Sequence, residues 1–564
     1  MARCARRPAA LPAQDAQAQL PSGVLGHRRR QRAARRRRGR AARLARPRLR
    51  RHHGPTRRLG SQVPTALVRP VVASARNRPS DPLGTWSGEP APARGNTMHR
   101  HARVRTRLTR LAALAASAAV AVALTSVAPA AAAPPSGNNG GKDIASTTEN
   151  YVTTFYPIWF THFQTTALPV PVNHFIGPTK ISPVYQAVVA INDDTLYAST
   201  PLDVSGAPVG VVVPATPVAY SVLLVDPYGN VYPSGIPSRK AGEGTQTIEY
   251  ALIGPDASDD LLGAEVVRLP LDHMIMIFRV DKHIGTEDVT TEAEEFRKGI
   301  LANGVPTAVK PVEEFGVPVK TIADDLVRLA PIEFLRQTQV AVADDGWTPP
   351  LNRQEQKLSD DFDALFGDGS SLTDAERAQF AEGARAAHDA LIANYLDHRG
   401  ATNWTHFTNI GAWKKNVLDR ASITEFCQYC NTIETAAYYH AFYDGNGAPL
   451  DGSNPAGYVL TFPADAIPDA ERFWSVTAYT PNAIQPIPND IDKYLVASYT
   501  EGLETNPDGS ISIYLAVTQP DGVPQANWLP VRDGAFNVML RVYGVVPKSD
   551  IAKDKYLPPA IQLR

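Results

Sequence analysis

The chain has 564 residues, with 57 basic and 56 acidic side chains and a formal net charge of +1. That balance conceals two unlike parts: residues 1–97 hold 23 arginines and no lysine, whereas residues 134–564 hold 29 of the basic and 53 of the acidic side chains, a net charge of −24. A body this acidic repels phosphate backbones and anionic lipid, so nucleic acid is not an expected partner.

In chain order, residues 1–97 run through "HRRRQRAARRRRGRAARLARPRLRRHHG" without apolar periodicity. Such a segment cannot bury enough surface to offset its ordering entropy. It reads either as a basic arm or as an over-extended reading frame. Met98 favours the second. Residues 98–133 have the three parts of a secretory signal peptide: basic Arg100 to Arg110, apolar or small Leu111 to Val127, and "APAAAA" with A-x-A cleavage frames. The expectation is a secreted, extracytoplasmic protein starting at Met98. An alanine-dominated run is a poor anchor, so no membrane span is expected after cleavage.

Residues 134–150 open with "PPSGNNGGKD" and read as a flexible tether. "TENYVTTFYPIWFTHFQ" follows as a short helix or strand, with Pro157 arguing against a long helix. Residues 151–285 carry a first β-sandwich: "PVGVVVPA", "AYSVLLVDPYGN" and "MIMIFRVD" are β-branched runs broken by turn residues. Residues 286–405 read as a helical bridge. Its best helix has Thr373 and Glu376 as a capping box and Phe380, Ala384, Ala387, Leu391 and Tyr395 on one face. Residues 406–564 return to β signal with "GYVLTFP", "RFWSVTAYT", "SISIYLAV" and "FNVMLRVYG". The fold class expected is mainly β with a helical insert, α+β overall, with two antiparallel jelly-roll-like sandwiches bridged by helices.

Beyond residue 133 the only cysteines are Cys427 and Cys430. In an oxidising compartment this C-x-x-C reads first as a local disulfide. A zinc site would need two more ligands, and "DGNGAPLDG" lacks EF-hand spacing, so no metal is assigned. Nucleotide-loop, zincin and nucleophile-elbow motifs are absent, and no cofactor is assigned.

The ordered runs "INDDTLYASTPLD", "AYSVLLVDPYGN", "YALIGPDA" and "MIMIFRV" resemble the bacterial domain-of-unknown-function family 1254. "PLDGSNPAGYVLTFP", "FWSVTAYT", "NPDGSISIYLA", "NWLP" and "FNVMLRVYG" resemble its usual C-terminal companion, family 1214. The resemblance implies two sandwiches with helices between them, usually in exported proteins, and implies no agreed activity.

Candidate chemistry gathers on those motifs. Asp193 and Asp194 either stop a strand by bonding backbone amides or place one carboxylate in a cleft near Tyr197. Strand alternation puts Asp194 on the face of Leu196, opposite Tyr197. Asp226 precedes Pro227 and reads as a turn initiator or as a second carboxylate. Arg279, inside an apolar strand, faces solvent or pairs with Asp194 or Asp226. Asp194, Asp226 and Arg279 are the catalytic candidates for a glycosidase-like hydrolase. Tyr197, Trp474, Tyr479, Trp528 and Arg541 are the ligand-binding candidates. The leading expectation is a protein that binds a small molecule or saccharide at the envelope or outside the cell. A hydrolase and a non-catalytic interaction module are the rivals, and a homo-oligomer stays open.

Overall fold

The computed structural model describes residues 143–167, 170–260, 263–344 and 346–564. The arginine-rich stretch, the signal segment and residues 134–142 of the tether lie outside the described residues.

Seven α-helices occur among the described residues: α1 (Ile144–Ala167), α2 (Thr290–Gly299), α3 (Val319–Leu329), α4 (Pro331–Val342), α5 (Arg353–Phe366), α6 (Asp374–Asp397) and α7 (Val417–Cys427). With four larger sheets they make an α+β fold. Helix α1 corrects two expectations. Residues 144–150 are helix rather than tether, started by the Asp143 carboxylate accepting from the Ala145 amide at 3.2 Å. Pro157 lies inside a 24-residue helix instead of ending one. Tertiary burial outweighs the local cost: Tyr151, Phe155, Tyr156, Trp159 and Phe160 are all buried, and α1 is packed among the other helices. In the turn before Pro157, Arg420 of α7 donates to the Thr154 carbonyl at 2.9 Å. Helix α6 has the capping box of Thr373 with Glu376, and Phe380, Ala384, Ala387, Leu391 and Tyr395 form its buried stripe.

Five strands carry the first sandwich: β1 (Thr195–Asp203), β2 (Val209–Val213), β3 (Tyr220–Val225), β4 (Ile248–Ile253) and β5 (His273–Asp281). β5 is antiparallel to both β1 and β3 in a six-stranded sheet. A five-stranded sheet containing β2 and β4 covers it. Alternation sorts β5: Met274, Met276, Phe278 and Val280 fill the space between the sheets, while Ile275 and Ile277 point out of the sandwich. The sandwich continues past residue 285. Ala293 and Phe296 of α2 enter its core, and Ala308–Lys310 runs parallel beside Ile176–Pro178 at the sheet edge.

The second sandwich is built from β6 (Ala436–Ala441), β7 (Tyr458–Phe462), β8 (Ala470–Tyr479), β9 (Ile511–Ala516) and β10 (Asn537–Val545). β10 lies between β6 and β8 in a five-stranded sheet, and β7 pairs with β9 in a four-stranded one. Val538, Leu540 and Val542 face the interior of this sandwich, with Trp474 and Val476. Met539 and Tyr543 face the other way, into the hydrophobic cluster to which the helices also contribute. Each sandwich therefore has a sheet whose outer face is also buried.

Candidate functional site: a cavity between the two sandwiches

Those two outer faces meet across the segment before β1. Asp194 lies just ahead of β1, so strand alternation does not reach it. Its carboxylate accepts from Ser475 Oγ at 2.8 Å and from the Tyr499 hydroxyl at 2.5 Å, both on the second sandwich. Burial pushes the Asp194 carboxyl up, with the Tyr499 hydroxyl and the Arg541 charge acting against that push. Asp193 bonds Lys282 at 2.8 Å. The Ile191 carbonyl accepts from the Tyr479 hydroxyl at 2.5 Å, and Asn192 donates to the Tyr543 hydroxyl at 3.1 Å. The segment Ile191–Asp194 is a dock that fastens the first sandwich to the second. Asp281 and Arg472 add a buried ion pair across the same seam.

Beside this dock is a cavity of about 110 Å³. Ile176, Val189, Ile275, Ile277 and Phe315 supply its apolar walls. Each sandwich adds one cross-strand tyrosine–arginine pair. Tyr197 lies opposite Arg279 on the first sheet and Tyr438 opposite Arg541 on the second. All four line the cavity, together with Tyr543 and Asn192. The Arg279 guanidinium carbon is 5.7 Å from the centre of the Tyr197 ring.

Both arginines are buried, Arg279 at 6% and Arg541 at 1% exposure. Arg279 donates to Asn431 Oδ1 at 3.1 Å and to the Tyr429 carbonyl at 2.6 Å. Tyr429 lies between the two cysteines at φ 60, a left-handed backbone unusual for a bulky residue. The structure joins Cys427 to Cys430 as a disulfide around it. Arg541 donates to the Ala190 carbonyl and, at 3.4 Å, to Thr477 Oγ1. All these acceptors are neutral. Burial also raises the Tyr197 and Tyr543 phenols above their ordinary value, so they carry no negative charge near neutral pH.

The sequence candidates separate accordingly. Tyr197, Arg279 and Arg541 come together at the cavity. Asp194 stands behind it, engaged by the second sandwich. Arg279 pairs with neither Asp194 nor Asp226. Asp226 holds its own turn, accepting from the Asn230 amide at 2.9 Å, Asn230 Nδ2 at 2.8 Å and the Tyr232 hydroxyl at 3.1 Å. Trp474 points into the second sandwich's core, because its parity on β8 is that of Val476. Tyr479 has the opposite parity; its ring lies under Arg541, 5.5 Å from the guanidinium carbon. Trp528 sits on the far four-stranded sheet, its indole donating to the Ala516 carbonyl at 2.9 Å. No aspartate or glutamate is among the described lining residues, so a two-carboxylate hydrolytic mechanism has no acid and base here.

A second cluster of buried charge lies among the helices. Lys320 of α3 bonds Glu425 of α7 and reaches Asp324 at 3.0 Å. The Tyr156 hydroxyl donates to Glu425 at 2.5 Å, and His388 Nε2 is 3.2 Å from Asp324. Asp324, His388 and Glu425 offer three ligand atoms within 4.8 Å of one another, a donor set that suits a divalent cation in kind. The Lys320 ammonium already lies against both carboxylates and offsets part of their charge.

This architecture defines an α+β protein of two sandwiches with a cationic, apolar-walled cavity at their junction. Residues 172–303 match the protein family of unknown function DUF1254, and residues 435–548 match the protein family of unknown function DUF1214. The chain carries the two in the N- to C-terminal order that its motifs suggest. Tyr197 and Arg279 fall in the first matched segment, and Tyr438, Arg541 and Tyr543 in the second. Among solved structures, the VPA0106 protein from Vibrio parahaemolyticus is similar at 19% identity and a TM-score of 0.48, over 75% of this chain and 100% of that one. A putative uncharacterized protein from Burkholderia cenocepacia is similar at 15% identity and a TM-score of 0.37, over 75% and 94%. No curated protein matches the chain. Among the described residues no helix is long and apolar enough to cross a membrane.

Proposed function

We propose that this is an exported protein that binds a small molecule in the cavity between its two sandwiches. The observation that carries the reading is the cavity's make-up: apolar walls interrupted by polar and cationic side chains, the usual composition of a small-ligand site. Export rests on the three-part segment that begins at Met98. Volume argues against a sugar ring as the occupant. A cavity of about 150 Å³ holds benzene, and this one measures about 110 Å³. The ligand is a compact molecule, or a larger one that buries a compact end here.

The test is a thermal-shift and calorimetric screen of small acids, amides and alcohols against the protein and its Ile277→Trp variant, whose indole fills the cavity. A ligand at about 100 times its dissociation constant raises stability by about 2.7 kcal/mol. The expected result is a hit that stabilises the unmodified protein and leaves Ile277→Trp unmoved. Equal stabilisation of both, or no hit from the whole panel, removes the reading.

A further inference from the structure

We propose that the ligand is a short-chain monocarboxylate whose carboxylate is held by Arg279, with Arg541, Tyr438 and Tyr543 as further donors. This rests on the reading that the cavity binds a small molecule, and it names the chemical class.

The argument is one of charge. The described lining carries two guanidiniums and no carboxylate. Neither Arg279 nor Arg541 forms an ion pair among the described residues. Arg541 has partial compensation, since Asp194 is close enough to act on it through the field. The other buried acid at the seam, Asp281, is already paired with Arg472. Arg279 is left as a buried cation with only a carbonyl, an amide oxygen and a ring face around it. A buried charge without a counter-ion is costly, and the cost is relieved when an anion enters.

The hydroxyls agree with this. Tyr438 OH accepts from the Asn431 amide at 3.1 Å and from Asn431 Nδ2 at 2.7 Å. Tyr543 OH accepts from Asn192 Nδ2 at 3.1 Å. Neither hydroxyl donates to any described residue, so each keeps an O–H for an incoming acceptor. Two phenolic donors and a planar guanidinium fork suit a carboxylate. The apolar walls at Ile275 and Ile277 suit a short alkyl tail, which an inorganic anion lacks.

The experiment is titration calorimetry of the full chain with acetate, propionate and butyrate, each beside its neutral amide, and with inorganic phosphate. The expected result is binding of at least one carboxylate, at least about 30-fold tighter than its amide, with phosphate silent. Arg279→Met is expected to weaken that carboxylate by at least about 30-fold. The acid-to-amide comparison on the unmodified protein decides the matter even if the variant fails to fold. An amide that binds as tightly as its acid, or an Arg279→Met protein that keeps its affinity, overturns the carboxylate assignment and leaves small-molecule binding standing. Phosphate binding without carboxylate binding overturns it also. If neither acids nor amides bind and the wider screen is also empty, the underlying reading falls with it.

Discussion

Lys320 and Arg279 are both cations taken out of water, and their surroundings differ. Around Lys320 the helices bring two carboxylates within bonding distance, and those carboxylates are in turn met by the His388 imidazole and the Tyr156 phenol. Around Arg279 the sandwiches bring a carbonyl, a carboxamide and an aromatic face. The first set balances its charge with the chain's own residues and reads as architecture. The second leaves a charge for something else to balance. Residue type alone does not separate a structural buried cation from a binding one; the presence of a counter-ion does.

The widest effect that would separate the two regions comes from the helical cluster. Lys320→Met strips the cation from Glu425 and Asp324 and is expected to cost about 3–5 kcal/mol in denaturant unfolding. Arg279→Met, in contrast, removes an uncompensated charge but leaves the Asn431 carboxamide oxygen and the Tyr429 carbonyl without their donor, and is expected to cost less, about 1–3 kcal/mol. Equal losses in both would break the comparison. Next in size is Asp194→Asn at the dock. The neutral amide weakens the bonds from Ser475 and Tyr499, at an expected cost of about 1–3 kcal/mol in the same measurement. A change near zero would show that the dock is held by its backbone alone.

The smallest effect is a pH slope. Burial pulls the His388 imidazole down, but the Asp324 and Glu425 carboxylates more than offset this and its pKa is raised. A raised folded pKa means that this stabilisation is fully present below about 6.5, the unfolded value, and is lost as pH rises through the folded one. The urea midpoint is therefore expected to fall as pH rises above about 6.5, and His388→Gln to flatten that slope. An identical slope in the variant would place the titration elsewhere.

Much of this was legible in the sequence. The two families, the α+β class and the capped α6 helix follow from ordered motifs and 3.6-residue periodicity. Arg279 was marked by being charged inside an apolar strand. Tyr543 was marked only as one of several strand aromatics, and Tyr438 was not marked, for a physical reason. Both faces of β6 and β10 are buried, so hydropathy does not alternate along them. Tyr438 turns to the cavity and its neighbour Tyr439 to the sandwich core, yet in sequence they are the same letter twice. Trp474 was misplaced by the same ambiguity, since its parity matters and its aromatic character does not. Pro157 shows the converse limit, where local propensity was clear and packing overrode it.

The dock Ile191–Asp194 has one further consequence. By chain order it belongs to the first sandwich, where Asp193 bonds Lys282, but four of its hydrogen bonds run to Ser475, Tyr479, Tyr499 and Tyr543 on the second. Severing the halves would leave Ile275 and Ile277 on one fragment, and Phe473 and Tyr438 on the other, facing water. Such fragments are prone to aggregation rather than to independent folding. The two matched segments are separable as text but are expected to melt as one cooperative unit.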